Sequence, residues 1–511
     1  MKQTLATLAA LAAVGATSAT AKKQLARQRQ PNVILIMTDQ HRFDYLGSVD
    51  STIVTPHLDA LASDGVRFAN GYTSAPSSTP ARAGLLTGQS PWHHGLLGYV
   101  PHIAAEYPNQ LPQLMTDAGY YSYGIGKMHW HPQRSLRGFA ATELDESGRV
   151  EDAGFVSDYR QWFARVAPGL DPDSSRIGWN EHAAGAYPLA DTLHPTWWTG
   201  ERAVRLIENY DRDRPLFLKV SFARPHSPYD PPRRFLDLYR GKSLAAPVVG
   251  DWDSTFSTRY THDPRRNPEA PYGDFGAEYA QRSRKYYAAN VSFVDEQVGR
   301  IVEALKARGL YDNSVILFVS DHGDMLGDHY HWRKTYAYEG SSHVPFIVRY
   351  PSGMKIRVRR GDVRDEVVEL RDILPTFLDA AGVAVPEGVD GRSVLELLRN
   401  PKRTDWREAI DIEHSACYGP NTGYVALTDG HWKYIWFYNR GEEQLFDLSV
   451  DPYETRDVHA SAEYAERLTE FRRRMAAHLA ERGPQWVSPS GELQVLDPVS
   501  PRTPNFPQAD K

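Results

Sequence analysis

Apolar residues in this chain gather in short runs of strand length. Pro31-Asn32-Val33-Ile34-Leu35-Ile36-Met37 is nearly continuous, as are Leu216-Phe217-Leu218-Lys219-Val220-Ser221-Phe222 and Ser314-Val315-Ile316-Leu317-Phe318-Val319. Uninterrupted runs of this length predict strands buried on both faces, the pattern of a parallel sheet. Tyr121-Ser122-Tyr123-Gly124-Ile125 and Val344 to Tyr350 predict two more, and Val66-Arg67-Phe68 begins a short extended run. Between these runs the apolar period lengthens to three and four. Thr55-Pro56 opens a helix through Leu58 and Leu61 that Gly65 stops, and a second runs from about Leu111 to Asp117. The longest, Tyr279 to Arg308, carries Val291, Val294, Val298, Ile301 and Leu305 on one face ahead of Gly309. Strands alternating with helices predict a doubly wound α/β fold, in which ligands bind outside the carboxyl ends of the strands.

Beyond about residue 400 the pattern changes. Gly423 to Asp429, His431 to Tyr438 and Gln444 to Leu448 predict short antiparallel strands joined by Gly and Asp turns, then a helix from about Ser461 to Arg482 with Ser461 as its cap. The chain therefore divides into a leader over 1–21, an α/β domain over 31–400, a smaller α+β domain over 401–485 and an irregular tail over 486–511. The leader has a lysine at position 2, an apolar run from Leu5 to Ala16 and the small-x-small site Ala19-Thr20-Ala21, the three parts of a secretory signal peptide. No other apolar run is long enough to cross a membrane. The single cysteine, Cys417, excludes an intramolecular disulfide, which suits a bacterial periplasm or exterior. A net charge of −6 argues against nucleic acid as a main partner and leaves a small molecule or glycan.

Four predicted strands carry polar clusters at their carboxyl ends. These are Asp39 with Gln40, Lys127 with His129, Arg224-Pro225-His226, and Ser320-Asp321-His322-Gly323-Asp324. Two carboxylates, an amide oxygen and an imidazole among them form an oxygen-rich donor set that favours calcium. Taken alone, an Asp-His pair after a strand is more often a loop-stabilising contact than a metal site. A turn with a helix after it, Ala75 to Gly88, supplies a hydroxyl. Ser78 or Thr79 is its expected cap, Pro80 suits the first helical position, and Arg82 adds charge within a turn of the positive helix N-terminus. The string describes an anion site with a hydroxyl inside it, and also an ordinary helix start.

The full strings narrow that choice. Ser78-x-Pro80-x-Arg82 followed by Leu85-Leu86-Thr87-Gly88 resembles the signature of the type I, formylglycine-dependent sulfatases of the alkaline phosphatase superfamily, whose core is Cys or Ser, any residue, Pro, any residue, Arg. Gly126-Lys127-Met128-His129 resembles the family's Gly-Lys-x-His, and Pro225-His226-x-Pro228 its Pro-His-x-Pro. Phe446-Asp447-Leu448 with Asp451-Pro452-x-Glu454 also recurs in family C-terminal domains. The likeness runs from Asn32 to about Val458. Three positions depart from the common pattern: Ser78 where most members carry Cys, Ala81 where most carry Ser, and His343 where many carry Arg.

The resemblance implies a large mixed, mostly parallel sheet flanked by helices, alkaline phosphatase-like, with a smaller C-terminal α+β domain. It implies conversion of Ser78 to formylglycine by a maturase that oxidises serine, and calcium held by Asp39, Gln40, Asp321 and His322. Arg82, Lys127 and Lys334 would then surround the sulfate, His129 would orient the formylglycine hydrate and His226 would protonate the leaving oxygen. The implied activity is hydrolysis of a sulfate ester on a carbohydrate or aryl alcohol. Two alternatives share the fold: a phosphodiester or phosphonate monoester hydrolase, because the Asp-Gln and Asp-His pairs also resemble that branch, and a catalytically silent binder of sulfated glycans. His93, His94, Trp197 and Trp198 are expected to pack rather than to touch substrate.

Overall fold

The apolar runs lie side by side in a computed structural model that describes residues 30–103, 106–253 and 267–507. The strands are β1 (Asn32–Asp39), β2 (Val66–Tyr72), β3 (Tyr121–Gly126), β4 (Ala141–Leu144), β5 (Leu216–Pro225), β6 (Ser314–Ser320), β7 (Phe346–Arg349) and β8 (Asp362–Glu369). They form one eight-stranded sheet in the order β4-β3-β5-β1-β6-β7-β2-β8. Neighbours are parallel except at β7, which runs antiparallel to both β6 and β2. Two reversals restore the direction, so β2 ends on the same edge of the sheet as β1 and β6.

Side chains alternate across a strand, so a run buried on both sides needs a helical layer on each face. Val33, Leu35 and Met37 of β1 pack into a core with residues of α2 (Ser78–Thr87), α3 (Leu111–Asp117) and α6 (Ile373–Ala381). Ile34 and Ile36 face the other way, onto α1 (Pro56–Ser63), α4 (Pro195–Glu208) and α5 (Ala277–Ala307), whose Val294, Val298, Ile301 and Leu305 are the stripe expected from the sequence.

The C-terminal sheet contains β9 (Ile410–His414), β10 (Tyr424–Thr428), β11 (Trp432–Phe437) and β12 (Glu442–Asp447), all antiparallel in the order β12-β11-β10-β9. One face packs on α7 (Ala465–Leu479) through Phe471 and Met475. The other packs on the large domain, with Ile412, Ala426, Ile435 and Phe446 against Tyr72, Met325 and Tyr338. Strands β4, β8 and β9 were not expected from the sequence. Ser461 makes no side-chain cap bond and α7 starts later, after a short turn of tighter helix. The tail lies on the surface of both domains: Leu496 N–H donates to Tyr438 O, and Thr503 N–H to Gly95 O. The leader falls outside the described residues, and no helix among those described is long and apolar enough to cross a membrane.

A buried ion cluster fastens the two sheets together. Lys433 on β11, 0% exposed, lies 2.6 Å from Glu339 and 2.8 Å from Glu454, and donates to Ala337 O at 2.8 Å. Glu454 also accepts from Glu339 N–H at 2.7 Å. The motif containing Glu454 is thus a structural clasp. His343 belongs to the same junction, stacked on Phe43 with ring centroids 4.0 Å apart and bonded to Glu339. Removing the cation from such a cluster strands two carboxylates in the interior. Lys433→Met should lower stability by about 3–5 kcal/mol, read as an earlier denaturant midpoint; an unchanged midpoint would contradict the clasp.

Candidate active site

Four adjacent parallel strands, β3, β5, β1 and β6, end along one edge of the sheet and deliver their polar clusters there together. Thr38 pairs with Ser320, so Asp39 and Asp321 leave neighbouring strands at the same level. Gly126 pairs with Ser221, which sets Lys127 beside them. Gln40 and His129 adopt positive φ, 68° and 66°, a region that non-glycine residues disfavour and that turns each chain sharply after its strand. All ten residues singled out from the sequence are buried at this edge or in the helix facing it.

Position 78 is the first residue of α2, whose cap is Ser77 rather than Ser78 or Thr79. None of these hydroxyls caps the helix. Ser77 Oγ bonds His414 Nε2 at 2.8 Å, and Thr79 Oγ1 donates to Val100 O at 2.9 Å. Pro80 therefore occupies the third helical position instead of the first, still within the turn whose N–H groups have no helical acceptor. Ser78 Oγ points outward from the helix start, 3.1 Å from His322 Nε2 and 3.4 Å from Asp39 Oδ2.

Around that hydroxyl the charges alternate. Arg82 Nε donates to Asp321 Oδ2 at 2.8 Å, and its other nitrogens donate to Asp39, Lys127 O and Ser221 Oγ. Lys127 Nζ donates to Asp39 Oδ2. Burial pushes the Asp39 carboxyl up, but Lys127, His226, Arg82 and His322 together hold it well below the usual carboxylate range. Burial brings Lys127 down to about 8. His322 Nδ1 donates to Gly323 O at 2.9 Å, which turns the lone pair of Nε2 toward Asp39 and Asp321, each 3.7 Å away. One ligand atom from each of Asp39, Asp321 and His322 lies within 4.8 Å of the others. Asp39 Oδ1 is buried without a hydrogen-bond partner, the state of an oxygen shaped for a cation. A divalent ion fits these residues.

A second group completes the edge. Lys334 Nζ donates to Gln40 Oε1 at 2.7 Å and to His226 Nε2 at 2.6 Å, while His226 Nδ1 donates to Ser227 O at 3.0 Å. Burial lowers Lys334 to about 7 and, with Lys334 beside it, holds His226 neutral. Gln40 is oriented by Asp324, which accepts from its Nε2 at 2.6 Å; Asp324 stood in the strand-end string but had no role in the sequence reading. Glu146 is likewise new, accepting from Met128 N–H and His129 N–H at 2.8 and 3.0 Å. His129 stands somewhat apart: its ring meets Pro101 O and Arg149, not Ser78. His93 pairs with Asp390 and Glu481, His94 is buried, and Trp198 lies in a core with Tyr159 and Phe163, so these serve packing.

The family model described as sulfatase matches residues 31–383. The chain belongs to the sulfatase family. A second model, the N-sulphoglucosamine sulphohydrolase C-terminal domain, matches residues 327–481 of this sulfatase. An arylsulfatase of Clostridium perfringens is 37% identical over 89% of this chain and 95% of its own length. A choline-sulfatase of Rhizobium meliloti is 33% identical over 88% and 87%. An N-acetylglucosamine-6-O-sulfatase of Bacteroides thetaiotaomicron is 28% identical over 88% and 86%. Among solved structures, a phosphonate monoester hydrolase of Agrobacterium radiobacter superposes with a TM-score of 0.74 at 24% identity, over 89% of this chain and 96% of that one, which places the sulfatase in the alkaline phosphatase-like fold.

Arg82 neutralises two buried carboxylates at once. In divalent-free buffer Arg82→Met is expected to destabilise the sulfatase by about 3–5 kcal/mol, measured by chemical denaturation; a cost under about 1 kcal/mol would show that the pairs are not coupled to folding.

Proposed function

We propose that this sulfatase hydrolyses sulfate esters of a carbohydrate or aryl alcohol through a formylglycine made from Ser78, with calcium as its metal. The observation that carries the reading is the position of Ser78 Oγ, at a helix N-terminus, 3.1 Å from His322 Nε2 and beside Asp39. Two carboxylates and one imidazole, with the second lone pair of the Gln40 amide oxygen, make a donor set rich in hard oxygens. When bound, the calcium and the formylglycine supply an activated nucleophile at position 78.

The remaining work falls to the chain's own side chains. Arg82 and Lys127 hold positive charge next to Ser78, where the sulfate oxygens would bind, and Lys334 does so from the other side. Charge that grows on those oxygens during S–O cleavage meets donors already in place. The proton for the departing alcohol comes from the Lys334–His226 pair, which shares one at His226 Nε2. Lys334 donates into that atom, so the pair acts as the acid rather than His226 alone. His129 positions its neighbours through Pro101 and Arg149. Export through the leader and conversion by a serine-oxidising maturase complete the proposal.

The mass of the peptide containing residue 78, from protein purified out of its native host, is expected to lie two hydrogens below serine, and Ser78→Ala to cut kcat/KM for 4-nitrophenyl sulfate at least ~10³-fold. An unmodified serine in protein that turns over phosphate diesters in preference to sulfate esters overturns the reading. Calcium should raise the unfolding midpoint of chelator-treated protein, a stabilisation of about 2.7 kcal/mol at a hundred times its Kd. Asp321→Asn should abolish that rise; an equal rise in the variant would remove Asp321 from the metal site.

A further inference from the structure

The two cations nearest Ser78 are matched by carboxylates, and among the described residues Arg149 is not. Arg82 and Lys127 are matched by Asp39 and Asp321. Arg149 is half-buried, and among the described residues no carboxylate lies within ion-pair distance of it. Its side chain rests instead on the His129 ring, with Nη1 3.2 Å from Nδ1 and close to Nε2 as well. Burial and the charges of Arg149, Lys127 and Arg82 keep that imidazole neutral, so it has one donor and one acceptor nitrogen. Pro101 O, 3.0 Å from Nε2, needs the N–H there, which leaves Nδ1 to accept from Arg149 and makes the approach to Nε2 one of donor to donor. An imidazole is a poor substitute for the bidentate oxyanion that a guanidinium fork matches.

The segment carrying Arg149 is built onto the site. Glu146 accepts from Met128 N–H and His129 N–H, and Arg149 N–H donates to Glu146 O at 3.0 Å. Gln133 closes the turn, donating to Arg149 O at 3.2 Å and accepting from Glu151 N–H at 2.9 Å. Gly148 adopts φ 73°, and a Cβ there would meet the Trp179 ring at 3.0 Å and Arg160 closer still, so the backbone beside Arg149 lies tight against its neighbours. A guanidinium held this firmly is already placed for a ligand. Arg149 is more exposed than the buried His129 on which it rests, and its charge reaches both Lys127 and Lys334.

We infer that Arg149 is a substrate-binding residue that takes a second oxyanion on the alcohol portion of the substrate, so that the preferred substrates are sulfate esters whose leaving group is itself acidic. This rests on the sulfatase reading of Ser78 and adds the substrate class. The second oxyanion is a carboxylate, as on a uronic acid or aromatic acid, or a further sulfate.

The test compares 4-nitrophenyl sulfate with its 3-carboxy and 3-sulfonate derivatives, on wild type, Arg149→Gln and Arg149→Lys. In wild type at least one acidic derivative should have a higher kcat/KM than the parent ester. Arg149→Gln should lower kcat/KM for that derivative at least ~10-fold more than for the parent, mostly through KM, with Arg149→Lys restoring part of the difference. Whichever derivative responds more identifies the anion as carboxylate or sulfate. Equal losses for all three substrates would assign Arg149 to the ester sulfate or to support of His129, and would overturn the inference. A preference of wild type for the uncharged ester would do the same. Equilibrium binding of the three compounds to Ser78→Ala protein, with and without Arg149→Gln, separates this inference from the reaction itself. A ~10-fold loss confined to the acidic pair supports it even if turnover of sulfate esters fails, and uniform affinities reject it.

Discussion

The register between β1 and β6 is the constraint on which the site depends. Thr38 opposite Ser320 sends Asp39 and Asp321 off the sheet together, and Arg82 bridges them from a different element. A side chain's face is fixed by a period of two, so a slip of one residue would exchange the two packed faces of β1 and separate the carboxylates. The apolar runs that fill both cores are therefore also what hold two like charges side by side. Buried carboxylates in such a position repel, and the surrounding cations make their joint ionisation tolerable.

That arrangement explains why polar residues cluster at one edge without disrupting the fold. β1, β5 and β6 are buried along their whole length, yet the sequence leaves the apolar pattern where each strand ends. Conformational strain concentrates there too. Gln40, His129, Arg333 and Thr335 all adopt positive φ within the segments that carry site residues. Such backbone is sustained only where surrounding hydrogen bonds determine it, as Asp324 does for Gln40 and Glu146 for His129.

Most of the α/β framework was legible because long apolar runs and a 3.6-residue stripe speak through local sequence. The central strands, the long helix α5 and the strand-end clusters stood where expected, and the motif strings brought the candidate metal group and the Ser78 turn into view. Other elements were silent for physical reasons. β8, Asp362–Glu369, is mostly charged because only its carboxyl end is buried, and β9, Ile410–His414, alternates isoleucines with acids, Asp411 pairing with Arg371 and Glu413 with Arg482. Lys219 sits within a run read as apolar, buried over the Trp130 ring with burial lowering it to about 7. Capping failed as a guide at Ser77 to Pro80 because each hydroxyl is engaged by a residue distant in sequence. Arg149 belongs to no motif; its meaning comes from the lack of a counter-ion among the described residues, which only geometry reveals.

The contact between Ser77 and His414 joins residues 337 positions apart, and Glu413 N–H closes on Ser74 O alongside it. Ser78, next along the chain, is only 2% exposed in the folded protein. A ribosome adding roughly 5–20 residues per second needs about 20–70 s to travel from one partner to the other. Position 78 is therefore more open on a chain whose C-terminal residues have yet to be made than in the folded protein.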